Sequence, residues 1–381
     1  MNAVFMYSVL MSQEFSPVQP LLPIKGRGAA NWPEHRFARD ERSAFDDGWG
    51  GGALADDPGA VRTELSWEQA RSALSRHESP DLPYHLGLNP YRGCEHGCIY
   101  CYARPTHSYL GWSPGLDFET RLIAKKNLPE LLSAELARDR HVPSPIMLGS
   151  VTDCYQPIER ELRLTRRLIE VLARARHPFT IVTKGSGVER DLDLLAPLAE
   201  QGLVSVHLSL STLNPELARR LEPRAAAPYR RCSTIQTLAA AGVPVGVSLA
   251  PQIPFLNDDM EQVLAAAAEA GARHAFYAVL RLPWELAPLF EQWLGLHYPQ
   301  RATRVMERVR DLHGIDQAGR EAGRSYNSQF GQRMKGQGLW AQMLAQRFRL
   351  ACRKLGLNRE PLRLDCSQYS PALLQKQQRL F

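Results

Sequence analysis

Asn89-Pro90-Tyr91-Arg92-Gly93-Cys94-Glu95-His96-Gly97-Cys98-Ile99-Tyr100-Cys101-Tyr102 sets three cysteines in C-x3-C-x2-C spacing, with an aromatic residue directly before the third. Three thiolates on one short loop can hold three irons of a [4Fe–4S] cluster and leave the fourth iron without a protein ligand. Electron-transfer clusters take four cysteines, so a compact set of three points to chemistry at the open iron. Gly93 and Gly97 let the backbone wrap closely around such a group. Two other readings stand beside this one. A structural zinc site would want a fourth Cys or His at ligand spacing, and His96 is too close to Cys94 and Cys98 for a usual knuckle. Buried free thiols would behave as small hydrophobes.

The 381 residues suffice for one large α/β barrel-type domain or two ordinary ones. No apolar run reaches the length of a membrane span. The first ten residues lack a basic n-region and a clear cleavage site. Seven cysteines, three of them clustered, suit a reducing compartment. A cytoplasmic protein is expected. The net charge of +6 is unevenly spread: residues 301–381 carry +10 and the remainder −4. A basic segment of this kind is compatible with nucleic acid, or with a solvated helical surface.

Residues 1–60 are rich in Gly, Pro, Asp and Arg and read as a flexible, disordered N-terminal arm. Some helical character follows at 67–74. Strand patterns are expected at 85–88, 145–151, 179–183, 203–210, 243–249 and 274–280. Helices are expected between them at 128–139, 162–176, 188–201, 215–221, 231–241 and 260–270. This alternation argues for α/β architecture with a parallel sheet. Gly202, Gly242 and Gly271 fit helix C-caps. Residues 61–283 form the expected core, and 284–381 a basic, mainly helical C-terminal extension covering one side. No GxGxxG follows a strand, which leaves a dinucleotide-binding fold unsupported.

The strands run out into Thr152 and Asp153, Lys184, Ser209, Ala250 and Arg281, all polar but Ala250. In TIM-like barrels function gathers at those ends. Asp153, Lys184 and Ser209 supply an acceptor, a cation and a hydroxyl, the chemical types a zwitterionic nucleoside cofactor needs. Each could instead begin a loop or cap a helix.

The cysteine run, joined by Thr152-Asp-Cys-Tyr-Gln-Pro-Ile-Glu159, Leu221-Glu-Pro-Arg-Ala225, Ala250-Pro-Gln-Ile-Pro254, Leu280-Arg-Leu-Pro283 and Phe330-Gly-Gln-Arg-Met-Lys-Gly-Gln-Gly338, resembles the radical S-adenosylmethionine (SAM) superfamily. Within it, the chain resembles a bacterial group related to spore photoproduct lyase. The resemblance implies a partial (β/α)6 TIM-like barrel with a [4Fe–4S] cluster on Cys94, Cys98 and Cys101. It further implies SAM as cofactor, chelated at the open iron and cleaved to a 5′-deoxyadenosyl radical. Tyr100 would lie against the adenine, and Thr152, Asp153, Lys184, Ser209 and Ala250 would contact SAM. A flavodoxin- or ferredoxin-type electron donor is implied as partner. Spore photoproduct lyase repairs a thymine dimer in DNA, with a cysteine returning a hydrogen atom. That position is Ser150 here, Cys154 lies four residues away, and the donor role does not transfer. Gln377, Leu380 and Phe381 form a Q-x-x-L-F tail resembling the motif that docks on bacterial sliding clamps. Three functions remain open: a radical SAM enzyme acting on a nucleic-acid base lesion, one acting on a small molecule or peptide, and a non-catalytic iron–sulfur or zinc module that binds nucleic acid.

Overall fold

A computed structural model of the chain describes residues 21–38, 61–314 and 325–374. Ten strands order the core: β1 (Glu64–Glu68), β2 (Leu74–Arg76), β3 (Leu86–Leu88), β4 (Tyr91–Arg92), β5 (Arg121–Lys125), β6 (Ile146–Leu148), β7 (Phe179–Thr183), β8 (Val204–Ser209), β9 (Val245–Gln252) and β10 (His274–Val279). The main sheet runs β10-β9-β8-β7-β6-β3-β2. From β3 to β10 every neighbour is parallel, and β2 closes one edge antiparallel to β3. These six parallel strands are the six expected. Helices cover their outer face, so the strands are buried on both sides, although β7, β8 and β9 mix apolar residues with buried Thr180, Ser205 and Ser248. Leu148, Ile181, Val206, Leu208, Val247 and Leu249 are fully buried in one core.

The helical character expected at 67–74 is absent. That stretch ends β1 and leads into β2. Glu64-Leu65-Ser66-Trp67-Glu68 pairs in parallel with Arg121–Lys125, and Leu74 pairs with Leu88. Strand partners distant in sequence override a weak local preference. β1, β5 and β4 make a second, three-stranded sheet that no periodicity announced.

Residues 21–38, inside the expected N-terminal arm, are packed against the body. Arg27 donates to the Glu119 carbonyl at 2.9 Å, and the Gly28 and Ala29 amides donate to the Glu119 carboxylate at 3.0 and 2.9 Å. A Cβ on Gly28 would stand 1.9 Å from the Gly97 carbonyl oxygen, so only glycine fits against the cysteine loop there. The rest of the expected arm lies outside the described residues, as do Gln377, Leu380 and Phe381.

The C-terminal extension contributes the helices Leu286–His297, Ala302–His313 and Gly338–Leu355. Between the last two, residues 329–336 cross the open seam of the barrel. The Met334 carbonyl accepts the Val279 amide at 3.0 Å, and Lys335 Nζ donates to the Tyr277 carbonyl at 3.0 Å. On the other side, Arg333 donates to Asp81 at 2.6 Å and to the Ser79 hydroxyl, and the Gly331 amide donates to Asp81 at 2.6 Å. Asp81 belongs to the β2–β3 connection, so this segment ties the sheet's two edges together. Replacing Arg333 with Ala leaves the Asp81 carboxylate without its cation; the urea midpoint should fall by an amount equivalent to about 1–3 kcal/mol, with Lys recovering part of it.

Candidate functional site

The cysteine loop follows β3 at the C-terminal end of the parallel sheet. Cys94 and Cys98 are buried and Cys101 is half-buried. Gly93 and Gly97 adopt φ of 77° and 66°, which turn the loop around its sulfur atoms. Its backbone is pinned from several directions. The Cys94 amide donates to the Phe118 carbonyl at 2.9 Å. The Gln156 side chain accepts the Glu95 amide at 2.9 Å and donates to the Gly93 carbonyl at 3.2 Å. Arg104, fully buried, donates to the carbonyls of Gly97, Cys98 and Gly115 at 3.1, 2.8 and 2.8 Å and forms an ion pair with buried Glu119.

Burial pushes the Cys94 thiol well up, helped by Asp153 and the two neighbouring sulfurs. Cys98 is pushed up to about 12 by burial, with Lys184 acting against it. Burial thus keeps Cys94 and Cys98 from being held as thiolates by the protein alone, and a bound metal centre would supply the charge that does so. Cys94 interacts with both Cys98 and Cys101, so three soft donors of the type an iron–sulfur cluster takes stand on one loop, although among the described residues no three His, Cys, Asp or Glu side chains are gathered as around a single metal ion. His96, the candidate fourth zinc ligand, is buried with Nδ1 turned to Asp153 at 3.2 Å.

The strand ends converge as expected, but their side chains divide the work differently. The Asp153 carboxylate is consumed inside the protein: it accepts from the Thr183 hydroxyl (2.6 Å), the Tyr155 amide (2.9 Å) and the Lys184 amide (2.7 Å), besides facing His96. Burial alone would raise its pKa; His96, Thr183 and the Lys184 amide together hold it well below the usual carboxylate range. With its lone pairs taken, it positions the cysteine loop on the end of β7 and leaves little for a ligand. Thr152 is likewise turned inward, its hydroxyl donating to the Tyr91 carbonyl at 3.0 Å. Cys154 is fully buried in the core, an inert thiol.

Lys184 is different. Its Nζ stands 5.8 Å from the centre of the Tyr100 ring. Burial would lower its pKa, but the neighbouring Cys98, Glu222 and Asp153 outweigh that and keep the ammonium charged. Among the described residues, no hydrogen bond or ion pair fixes it. Ser209 is buried at the end of β8, paired with Ser248 of β9, and Ala250 lies half-buried in β9.

Sequence reasoning gave no role to Glu222, the centre of a buried network. Its carboxylate accepts from the Tyr100 hydroxyl and from Arg231, and Arg231 also donates to the Ser209 carbonyl at 2.8 Å. The adenine-facing candidate Tyr100 is thus clamped at its hydroxyl, and β8 is joined to the cysteine loop. The available signal was an acid within Leu221-Glu-Pro-Arg directly after the helix Pro215–Leu221. Gln156 and Glu159 were also passed over. Glu159 accepts from the Tyr91 hydroxyl, the Thr165 amide and Arg190.

A sequence profile described as Radical SAM superfamily matches residues 88–267. An uncharacterized protein of Mycobacterium tuberculosis (strain H37Rv) is 38% identical over 244 residues, covering 63% of this chain and 72% of that one. An uncharacterized protein of Methanocaldococcus jannaschii is 28% identical over 259 residues, covering 67% and 92%. Among solved structures, spore photoproduct lyase complexed with dinucleoside spore photoproduct aligns with a TM-score of 0.53 at 17% identity, over 77% of this chain and 80% of that one. A mutant of the same enzyme with bound AdoMet and the same dinucleoside aligns at 0.54 and 16%, with the same coverage. The chain belongs to the radical SAM superfamily. That membership implies a [4Fe–4S] cluster and SAM, and the structural neighbours show the fold.

Replacing Glu222 with Ala strands the buried Arg231 guanidinium and should destabilise the protein by about 3–5 kcal/mol in equilibrium unfolding, with Gln milder.

Proposed function

We propose that the chain is a radical SAM enzyme that binds its [4Fe–4S] cluster on Cys94, Cys98 and Cys101 and abstracts hydrogen from a nucleic-acid base lesion. The observation that carries the enzymatic reading is the unpaired Lys184 ammonium, held charged beside the Cys98 thiol at the end of β7. When bound, the cluster and SAM supply reductive cleavage of the sulfonium and the radical hydrogen abstraction that follows.

The chain's own residues bind and orient. Lys184 is the cation for the SAM carboxylate. The Tyr100 ring, locked through Glu222, offers a fixed face to the adenine. Ser209 presents a hydroxyl and Ala250 a small side chain at neighbouring strand ends. Thr152 and Asp153 act as positioning residues, because their polar atoms are bonded within the protein. A flavodoxin- or ferredoxin-type donor supplies the electron.

The basic residues 301–381 support a nucleic-acid substrate. A second reading, a small-molecule or peptide substrate, is favoured by a cavity of about 470 Å³ lined by Asn89, Arg92, Lys125 and Thr152, a size typical of small-ligand sites.

Anaerobic reconstitution with iron and sulfide, reduction with dithionite and chromatography of 5′-deoxyadenosine test the proposal. The wild type should form it. Cys98→Ala should lose both the visible absorbance of the cluster and the product. Lys184→Ala should keep the absorbance and raise the KM for SAM about tenfold or more, the loss expected for a charged contact. A fully loaded cluster that leaves SAM intact, with or without DNA, would return the chain to the reading of a non-catalytic iron–sulfur module.

A further inference from the structure

The rim of the barrel mouth carries rings and charge that the cofactor site does not use. Arg281 follows β10, and its guanidinium lies 4.5 Å from the centre of the Tyr102 ring. Among the described residues, no carboxylate pairs with it and no hydrogen bond fixes it. Tyr102 directly follows Cys101 and donates its hydroxyl to the Ser150 carbonyl, so the ring backing Arg281 is anchored between the cysteine loop and the end of β6.

Three residues beyond Arg281, Trp284 is 62% exposed with φ of 48°. A bulky side chain in left-handed backbone is an outlier, and such outliers gather at functional sites. Here no burial compensates it. The ring is held in place instead: the Arg36 guanidinium lies 4.4 Å from it, 4.6 Å from Phe37 and 5.0 Å from Tyr109, both exposed. Glu285 neutralises Arg36 through contacts of 3.0 and 2.9 Å and also accepts the Ser108 hydroxyl at 3.1 Å. Arg36 is thus a clamp that fixes three exposed rings, while Arg281 keeps a free charge beside them.

Fixed ring faces beside an unpaired cation match a single nucleic-acid strand, which offers a π-face per base and a charge per phosphodiester. An acidic peptide would use Arg281 but nothing of the rings, and an apolar peptide the reverse. The chain's positive balance points the same way. We propose that this rim receives a single-stranded or extruded stretch of nucleic acid, with a base stacked on Trp284 and a phosphodiester on Arg281. The proposal rests on the nucleic-acid reading of the site and specifies the form of its substrate.

Fluorescence anisotropy of a short labelled oligothymidylate with the cluster-reconstituted full chain tests it. Trp284→Ala should weaken binding about tenfold, with Phe recovering most of it. Arg281→Gln should weaken binding and reduce the slope of log affinity against log salt by about 0.7, whereas Lys preserves the slope. Leu339→Ala, an exposed change elsewhere, should bind as wild type, and circular dichroism should show all variants folded. Wild-type binding by Trp284→Ala and Arg281→Gln would overturn the proposal. So would poly-glutamate competing as well as the oligonucleotide. 5′-Deoxyadenosine formed by the same wild-type preparation separates the two claims: product with unaltered oligonucleotide binding by the variants removes the rim and keeps the enzyme. Weakened binding without product keeps the rim and removes the enzyme.

Discussion

The fully buried pair of Arg104 and Glu119 is the constraint on which the cysteine loop depends. A loop that turns its sulfur atoms to one side must turn carbonyls and amides to the other, into the protein, where each costs free energy if left unpaired. Arg104 answers the carbonyls of Gly97, Cys98 and Gly115. Glu119 balances the guanidinium and takes the amides of Gly28 and Ala29. A buried ion pair is often replaceable by apolar side chains. This one is not, because removing it would orphan the backbone of both segments. The same pair explains why residues 21–38, few of which are buried, lie against the body.

Around the sulfurs the charges follow a consistent rule. Among the described residues, the buried charges there have bonded partners except Lys184. Asp153 is answered by His96, Thr183 and the Lys184 amide, and Glu222 by Arg231 and the Tyr100 hydroxyl. Among the described residues Lys184 stands without a bonded partner, and Glu222 and Asp153 help to keep its ammonium charged despite burial. A cation with no hydrogen bond or ion pair of its own at such a place is a candidate for an incoming anion.

The six parallel strands were legible because short segments rich in apolar and β-branched residues recur between helical ones, and the cysteine loop because its spacing is local. What the sequence hid was pairing at a distance. Tyr100 meets Glu222 and Arg27 meets Glu119 across about a hundred residues of chain. β1 finds β5 through a register that no periodicity encodes. Asp153 illustrates the converse error. Residue type and placement at a strand end both indicated a ligand contact, yet its oxygens accept from two backbone amides and a hydroxyl and face His96, none visible as a pattern. Chemical type at a strand end identifies who is present at the site; only the count of satisfied lone pairs identifies who remains available.

That count also separates two tasks among the cations. Arg104, Arg231 and Arg333 are spent on carbonyls and carboxylates, holding the loop, the end of β8 and the seam of the barrel. Arg36 is spent on Glu285. Among the described residues Lys184 and Arg281 are not spent: one stands beside Cys98, the other over the ring of Tyr102, which directly follows the last cysteine. In the proposed function the cofactor's carboxylate takes Lys184, and a substrate that presents a hydrogen to that cofactor would meet Arg281 over the ring that follows the last cysteine. Two uncommitted cations then answer two different anions, which is why neither is spent on the protein's own carboxylates.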